Sequence, residues 1–405
     1  MKKTLIALVA FAMSLTATAG DYDQDKPFGF CTRSSRTDAT QTFDVTGGGC
    51  YNYPIPASFA GKVAVLKSTG QDMRKVIEKT IENEENRVVI FDGSAGDFLV
   101  SANINITATD KTILGINNAR ICTQWHLTDE IIAALNKAGV PRMKTSKNTG
   151  GTLPNGQRVG EEAEYQTRRI IMEMTGDQQE MYRKAGTLSL RGCSNVIVRN
   201  LTFVGPGSID VGGSDLLSCI NSKHCWIDHC AFVDGQDGNF DITQSADFVT
   251  ISWCTFSYTK RSYMHQNTNL VGYSNKEPRG FLNTTYAFNW WGEGCLQRMP
   301  MARVGKIHIL NNYYSSTTAN NCINPRDDSE FLVEGNYVEH GVRKYYSQSG
   351  AVGVTWRSDN YAADGKPLPE SVGAEVTVPY DYTVAPSNDV PRVVKTHAGA
   401  TLFVR

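Results

Sequence analysis

Five stretches decide the fold: VIVRNLTF at 196–203, WIDHCAF at 226–232, FVTISWCTF at 248–256, IHILNNYY at 307–314 and FLVEGNYV at 331–338. Each is a short β-rich run followed by a polar or small residue and an aromatic, and LNTTYAFNWW at 282–291 is a looser sixth. Taking Asn200, His229, Trp253, Phe288, Asn311 and Gly335 as equivalent spaces them by 29, 24, 35, 23 and 24 residues. A recurrence of this length marks a repeat architecture, and the Leu-x-x-Leu-x-Leu frame of leucine-rich repeats is absent. Stacked as parallel rungs about 4.8 Å apart, the residues after the markers form one column: Leu201, Cys230, Cys254, Asn289, Asn312 and Asn336. Asparagine amides in such a column can bond from rung to rung, which suits a bend between strands of a parallel β-helix. Two positions further on, Phe203, Phe232, Phe256, Trp291 and Tyr314 should stack in the core. Ordinary strands of a sandwich are the plain alternative, but strand alternation alone does not explain near-equal spacing.

Outward from these repeats, the chain of 405 residues carries 40 Lys+Arg against 41 Asp+Glu, a formal charge of −1. That balance excludes the broad basic footprint of a nucleic-acid binder and leaves room only for local cationic clusters. Hydrophobic residues at 40% and charged residues at 20% exclude disordered and fibrous classes. Residues 1–19 read as an export signal: Lys2-Lys3, an apolar run from Leu5 to Leu15, and the small-x-small site Ala17-Thr18-Ala19. No later stretch is apolar for the roughly 18 residues a bilayer span needs. The expectation is a secreted or periplasmic protein, residues 20–405 forming a single β-helix domain that acts as a monomer. All ten cysteines fall in that part, so disulfides are possible in an oxidising compartment. There is no C-x-x-C, G-x-S-x-G, H-E-x-x-H, P-loop or G-x-G-x-x-G, which removes the commonest zinc-ribbon, hydrolase, metalloprotease and nucleotide readings.

Residues 121–185 interrupt the repeats. Thr128 can cap a helix from Asp129 to about Lys137, stopped by Gly139 and Pro141. Glu161–Met174 reads as a second helix and Asp177–Lys184 as a short third, together a helical insertion whose expected role is to cover part of the solenoid core.

Three carboxylates fall inside the repeats. Asp237 and Asp241, four apart, should share one face of a strand, and Asp215 lies one rung earlier. Clustered carboxylates repel unless they hold a cation, and a hard oxygen site suits calcium. Turn formation at Asp234-Gly235 and Asp237-Gly238 is the alternative. An EF-hand is excluded because position 245 is Ser245 where the closing Glu would stand. Arg298 and Arg303 precede the strand that ends at Tyr314, and Lys260-Arg261 follow the one that ends at Phe256. On neighbouring rungs these cations would line a positive strip for a polyanion bearing carboxylates; solvated arginines are the alternative.

The order Asp215-Leu-Leu, Trp226-Ile-Asp-His229, Asp237, Asp241, Val249-Thr-Ile-Ser-Trp253, then Arg298-x-Pro-x-x-Arg303-x-Gly-x-x-His308-x-x-Asn311-Asn312 resembles the pectate lyases of polysaccharide lyase family 1. Weaker echoes lie at Thr46–Gly49, Lys111–Gly115, Pro379–Tyr382 and Ala398–Ala400, so the resemblance covers most of the chain outside the insertion. It implies a right-handed parallel β-helix that cleaves α-1,4-polygalacturonate by β-elimination. It further implies Ca2+ on Asp215, Asp237 and Asp241, Arg298 as the base at C5, and Arg303, Lys260 and Arg261 as substrate-binding groups. Asp228 and His229 match a stretch of the solenoid body and are expected to be structural. The chain departs from the family at Gly213, where a fourth acid is usual, and a histidine before the family's lysine is missing; strict counting puts Arg261, not Lys260, at that lysine. A pectin lyase acting on methylated chains without calcium, and a non-catalytic β-helix glycan binder, are the competing expectations; the first should lack the three acids and the second should lose the site.

Overall fold

The computed structural model describes residues 25–142, 152, 154, 156, 159–176, 184–209 and 213–403. The expected export signal and most of the short helix at 177–184 lie outside them. Three sheets of ten, seven and nine strands run the length of the molecule, every ladder in them parallel, and successive strands pass from sheet to sheet in turn: a parallel β-helix.

The sequence repeats are its rungs. Arg199, Asp228, Ser252, Ala287, Leu310 and Glu334 stand in register in the ten-stranded sheet. The next residues, the six markers, all take left-handed backbone, with φ from 46° to 64°. That conformation costs a non-glycine residue roughly 1–2 kcal/mol, and it turns the chain sharply into the nine-stranded sheet. The column after the markers supplies the compensation. Asn289 donates its backbone and side-chain N–H to Asn312 Oδ1 (2.9 and 3.0 Å), Asn312 does the same to Asn336 (2.8 and 3.1 Å), and Asn336 to Asn360 (3.0 and 2.9 Å). Asn360 extends the expected ladder by one rung. Inside the turn, Phe203, Phe232, Phe256, Trp291 and Tyr314 stack with centroids 5.1, 5.1, 5.4 and 4.9 Å apart, all fully buried.

Four α-helices lie among the described residues. Helix α1 (Arg74–Glu82) seats Ile77 and Ile81 on the end of the core. Helix α2 (Asp129–Lys137) begins as the sequence predicts, the Thr128 hydroxyl accepting from Ile131 N at 3.3 Å. Helix α3 (Val159–Thr175) packs against it, and their apolar faces meet Ile209, Tyr263 and Met264. The insertion therefore builds a small core of its own on loops at the side of the solenoid, and it does not cap an end. Helix α4 (Val390–His397) lays Val390, Val393 and Val394 over Trp253, Phe288 and Leu310, covering the bend markers. All ten cysteines are free thiols, nine of them buried. The disulfides that export would allow are not formed, because the cysteines serve as small apolar residues of the core.

Candidate active site

The seven-stranded sheet carries the acids. Leu217–Ile220 and Phe240–Thr243 pair so that Ser218 faces Asp241. Asp215 lies just before the first strand, and its carboxylate accepts from Gly238 N and Ser218 Oγ, both at 3.0 Å. Asp241 accepts from Leu270 N of the next rung at 2.9 Å. Gly238 is what lets the two acids close up: a Cβ there would stand 2.7 Å from Asp241 Oδ1 and 2.8 Å from Asp215 Oδ1. Burial, then the charge of Asp237, pushes Asp215 up to about 7. Burial, then Asp215 and Asp237, pushes Asp241 well above the carboxylate range. Two adjacent oxygen ligands whose negative charge lacks compensation are the donor set a hard dication takes.

Asp237 departs from the expected strand face. It lies in the turn before Phe240–Thr243, and its carboxylate meets His265 Nε2 at 2.9 Å. Burial alone would raise it; the His265 hydrogen bond and charge, then Arg298, bring it below its ordinary value. Among the described residues no three His, Cys, Asp or Glu side chains converge as a metal cage. Of the three acids, Asp237 is committed to His265, and Asp215 and Asp241 are left as the paired carboxylates beside Gly238. Gly213 has a local reason as well: a Cβ there would fall 1.6 Å from Gln236 Oε1, a buried oxygen with no hydrogen-bond partner among the described residues.

Arg298 faces this cluster. Its backbone is left-handed (φ 62°), held by Arg298 N donating to Asn321 O at 3.1 Å and Asn269 N donating to Arg298 O at 2.7 Å. Its charge reaches Asp215, Asp237 and Asp241, yet among the described residues the guanidinium has no hydrogen-bonded or ion-paired partner. Arg303 donates to Gly272 O at 3.2 Å and lies 3.4 Å from Asp327; burial first, then Arg326 and Arg298, lowers its pKa. Arg326 stands in register beside Arg303. It was missed in the sequence although it repeats Arg303 at the rung period.

Lys260 and Arg261 do not fall on the rung above the acids. The segment that stacks there is 265–271, where Ile242 pairs with Val271, His265 meets Asp237 and Leu270 bonds Asp241. Counting from Asp241 fails because the chain first makes a turn, fixed by Asp234 accepting from Thr259 N (2.7 Å), Thr259 Oγ1 (2.6 Å) and Ser262 Oγ (2.7 Å). That turn holds Lys260 and Arg261 against the helical insertion. His265 is the second residue missed, since nothing in its local pattern announces which rung residue it touches.

Asp228, by contrast, is structural. It is fully buried, 2.8 Å from Arg199 Nε and 2.6 Å from His229 Nδ1, and accepts from Ser252 Oγ at 2.6 Å.

The family model described as pectate lyase matches residues 142–378. A pectate trisaccharide-lyase of Thermotoga maritima is 39% identical over 139 residues, 32% of this chain and 36% of that protein. Pectate lyase A of Aspergillus niger is 34% identical over 218 residues, 51% of this chain and 63% of that protein. The chain thus spans less than two thirds of the length of these curated relatives. Among solved structures, the major allergen of cedar pollen aligns with TM-score 0.57 at 17% identity over 93% of both chains. A pectate lyase of Bacillus sp. N165 in complex with trigalacturonate aligns with TM-score 0.53 at 17% identity, covering 92% of this chain and 98% of that one. These structural likenesses share the fold seen here, and with more than half of its length matched to the family model, this chain belongs to the pectate lyase family.

Proposed function

We propose that this protein is a secreted, calcium-dependent pectate lyase that cleaves α-1,4-polygalacturonate by β-elimination. Residues 1–19 would be its export signal and 20–405 a single domain. The observation that carries the reading is the juxtaposition of two uncompensated carboxylates, Asp215 and Asp241, with the Arg298 guanidinium, which has no hydrogen-bonded or ion-paired partner among the described residues, in a chain of this family.

Asp215 and Asp241 would hold the calcium, with Asp237 adding charge beside them. When bound, calcium withdraws charge from a substrate uronate and so acidifies its C5 proton. Arg298 takes that proton; the electron pair forms the C4–C5 double bond, the C4–O bond breaks, the departing oxygen takes a proton from solvent water, and Arg298 returns its own proton to solvent. Arg303 and Arg326 form a cationic edge that holds a uronate carboxylate. A guanidinium is in general a poor proton acceptor near neutrality, so turnover should climb into the alkaline range. Lys260 and Arg261 bind the polymer further along the chain.

The test follows the ultraviolet absorbance of the conjugated unsaturated uronate on polygalacturonate at alkaline pH, with calcium and then with a chelator. A rise that chelation abolishes is expected. A rise that survives chelation would transfer the reading to calcium-free elimination, and no rise from folded protein on either polygalacturonate or methylated pectin would end the lyase reading.

A further inference from the structure

Asp237 stands at the Asp215–Asp241 pair with its backbone but not with its side chain. The peptide that follows it is docked there, Gly238 N donating to Asp215 Oδ1 at 3.0 Å, and its charge reaches both acids. Its carboxylate nevertheless goes to His265 Nε2, 2.9 Å away, and among the described residues no third acid closes on the pair. Calcium takes about six to eight oxygen ligands, and the number of charged ones sets much of its affinity.

His265 is held where it is. Its N–H donates to Tyr263 O at 3.0 Å and its carbonyl accepts from Asn267 N at 2.8 Å. The Asn267 amide nitrogen lies against the ring, 3.0 Å from Nε2 and 3.4 Å from Nδ1. Asn267 is locked in turn: its Oδ1 accepts from Gln297 Nε2 of the next rung at 2.6 Å, and its backbone carbonyl accepts from the buried Tyr258 hydroxyl at 2.7 Å. Asp237 has the opposite character. Its side chain is 36% exposed against 14% for His265, it lies in a turn directly before a glycine, and His265 is the one partner its carboxylate has among the described residues. A carboxylate with room to turn thus stands between a fixed imidazole and a pair of acids that lack a counter-charge.

We infer that His265 competes with a bound cation for Asp237: the imidazole withholds a third carboxylate from Asp215 and Asp241, and so sets how tightly the site takes calcium. The inference rests on the calcium reading given above and adds the residue that tunes it. With Asp237 on His265, a cation meets two carboxylates; with Asp237 turned toward the pair, it meets three. That turn breaks a hydrogen bond to a charged group, roughly twice as strong as a neutral one, and the loss is subtracted from the affinity the third carboxylate adds. The site therefore binds calcium more weakly, and releases it more readily, than its three acids would allow. His265 acts through Asp237 and is a positioning residue.

The experiment titrates calcium alone, without substrate, into metal-free protein by calorimetry, for the wild type, His265→Ala, Asp237→Asn and the double variant. His265→Ala is expected to tighten calcium binding about tenfold. Asp237→Asn should cost about threefold in the wild type, where it removes only charge, and about thirtyfold beside His265→Ala, where it removes a ligand. Equal or weaker binding by His265→Ala overturns the competition, and so does the same thirtyfold loss in both backgrounds. If His265→Ala does not fold, Asp237→Asn in the wild type decides: a threefold loss upholds the inference and a thirtyfold loss overturns it. Calcium taken by neither the wild type nor His265→Ala ends the calcium reading and the inference together, whereas equal binding by both ends the inference alone.

Discussion

Asp228 and Asp241 are both buried carboxylates on the same coil, 0% and 9% exposed, and their surroundings treat the charge in opposite ways. Asp228, in the ten-stranded sheet, would be raised by burial, but His229, Arg199 and the Ser252 hydroxyl bring it below its ordinary value. Asp241, in the seven-stranded sheet, is crowded by Asp215 and Asp237, and Arg298 pulls on it without a hydrogen bond. The Arg199 guanidinium is bonded to its acid, and that of Arg298 is left available. One cluster ties the solenoid together; the other keeps its charge unsatisfied and so retains a capacity for a ligand.

The comparison breaks or sharpens at four points. The largest effect is expected from Arg298→Ala, which should lower kcat by a hundred- to ten-thousand-fold, the usual range for a general base, while leaving the melting temperature in place; a loss of fold in this variant would make Arg298 another Arg199. Next, Asp228→Asn should destabilise the protein by about 3–5 kcal/mol, because Arg199 loses its fully buried counter-charge. Denaturant titration reads this directly, and a neutral result would remove the structural role of the cluster.

Asp241→Asn is expected to act with the opposite sign. The amide oxygen can still accept from Leu270 N, the repulsion with Asp215 is relieved, and in chelator the melting temperature should rise by about 2 °C or more. Calcium-dependent turnover should fall at the same time. A drop in melting temperature would show that the pair is compensated after all.

The smallest effect is the pH dependence of stability without calcium. Asp215 is near 7 in the folded chain against an ordinary 3.8, so between those values the folded state binds more protons than the unfolded one and stability declines as pH rises. Asp228, lowered in the folded state, contributes stability above its ordinary value that is lost as pH falls. His224, His308 and His397, lowered in the folded state, contribute the opposite slope below pH 6.5. Thermal melts in chelator from pH 4 to about 7 are therefore read as a difference: Asp241→Asn should lose less stability than the wild type as pH rises, by easing the charge on Asp215.

Much of this was legible beforehand because parallel stacking converts sequence period into spatial adjacency. The markers, the asparagine column and the aromatic column are read directly from spacing, and so is the Thr128 cap, a local matter of one hydroxyl and one N–H. The three acids and Arg298 were legible from type and order. The relation of Lys260 and Arg261 to the acids was not, since loops between rungs vary in length and a count along the chain loses register there. The same irregularity hid His265, and Arg326 was overlooked although the period points to it.

By itself, then, the sequence determined the rungs, their register through the ten-stranded sheet and the residue types gathered on one face, because a repeat that cannot bury its own apolar side must stack on the next. Only the tertiary structure decided that Asp237 turns to His265 while Asp215 and Asp241 share the space over Gly238. It alone left ten thiols unpaired, nine of them buried, and set the helical insertion beside Lys260 and Arg261. Those outcomes depend on loop paths and on the balance of burial against partner charge, which are properties of the packed molecule and have no local signature in the chain.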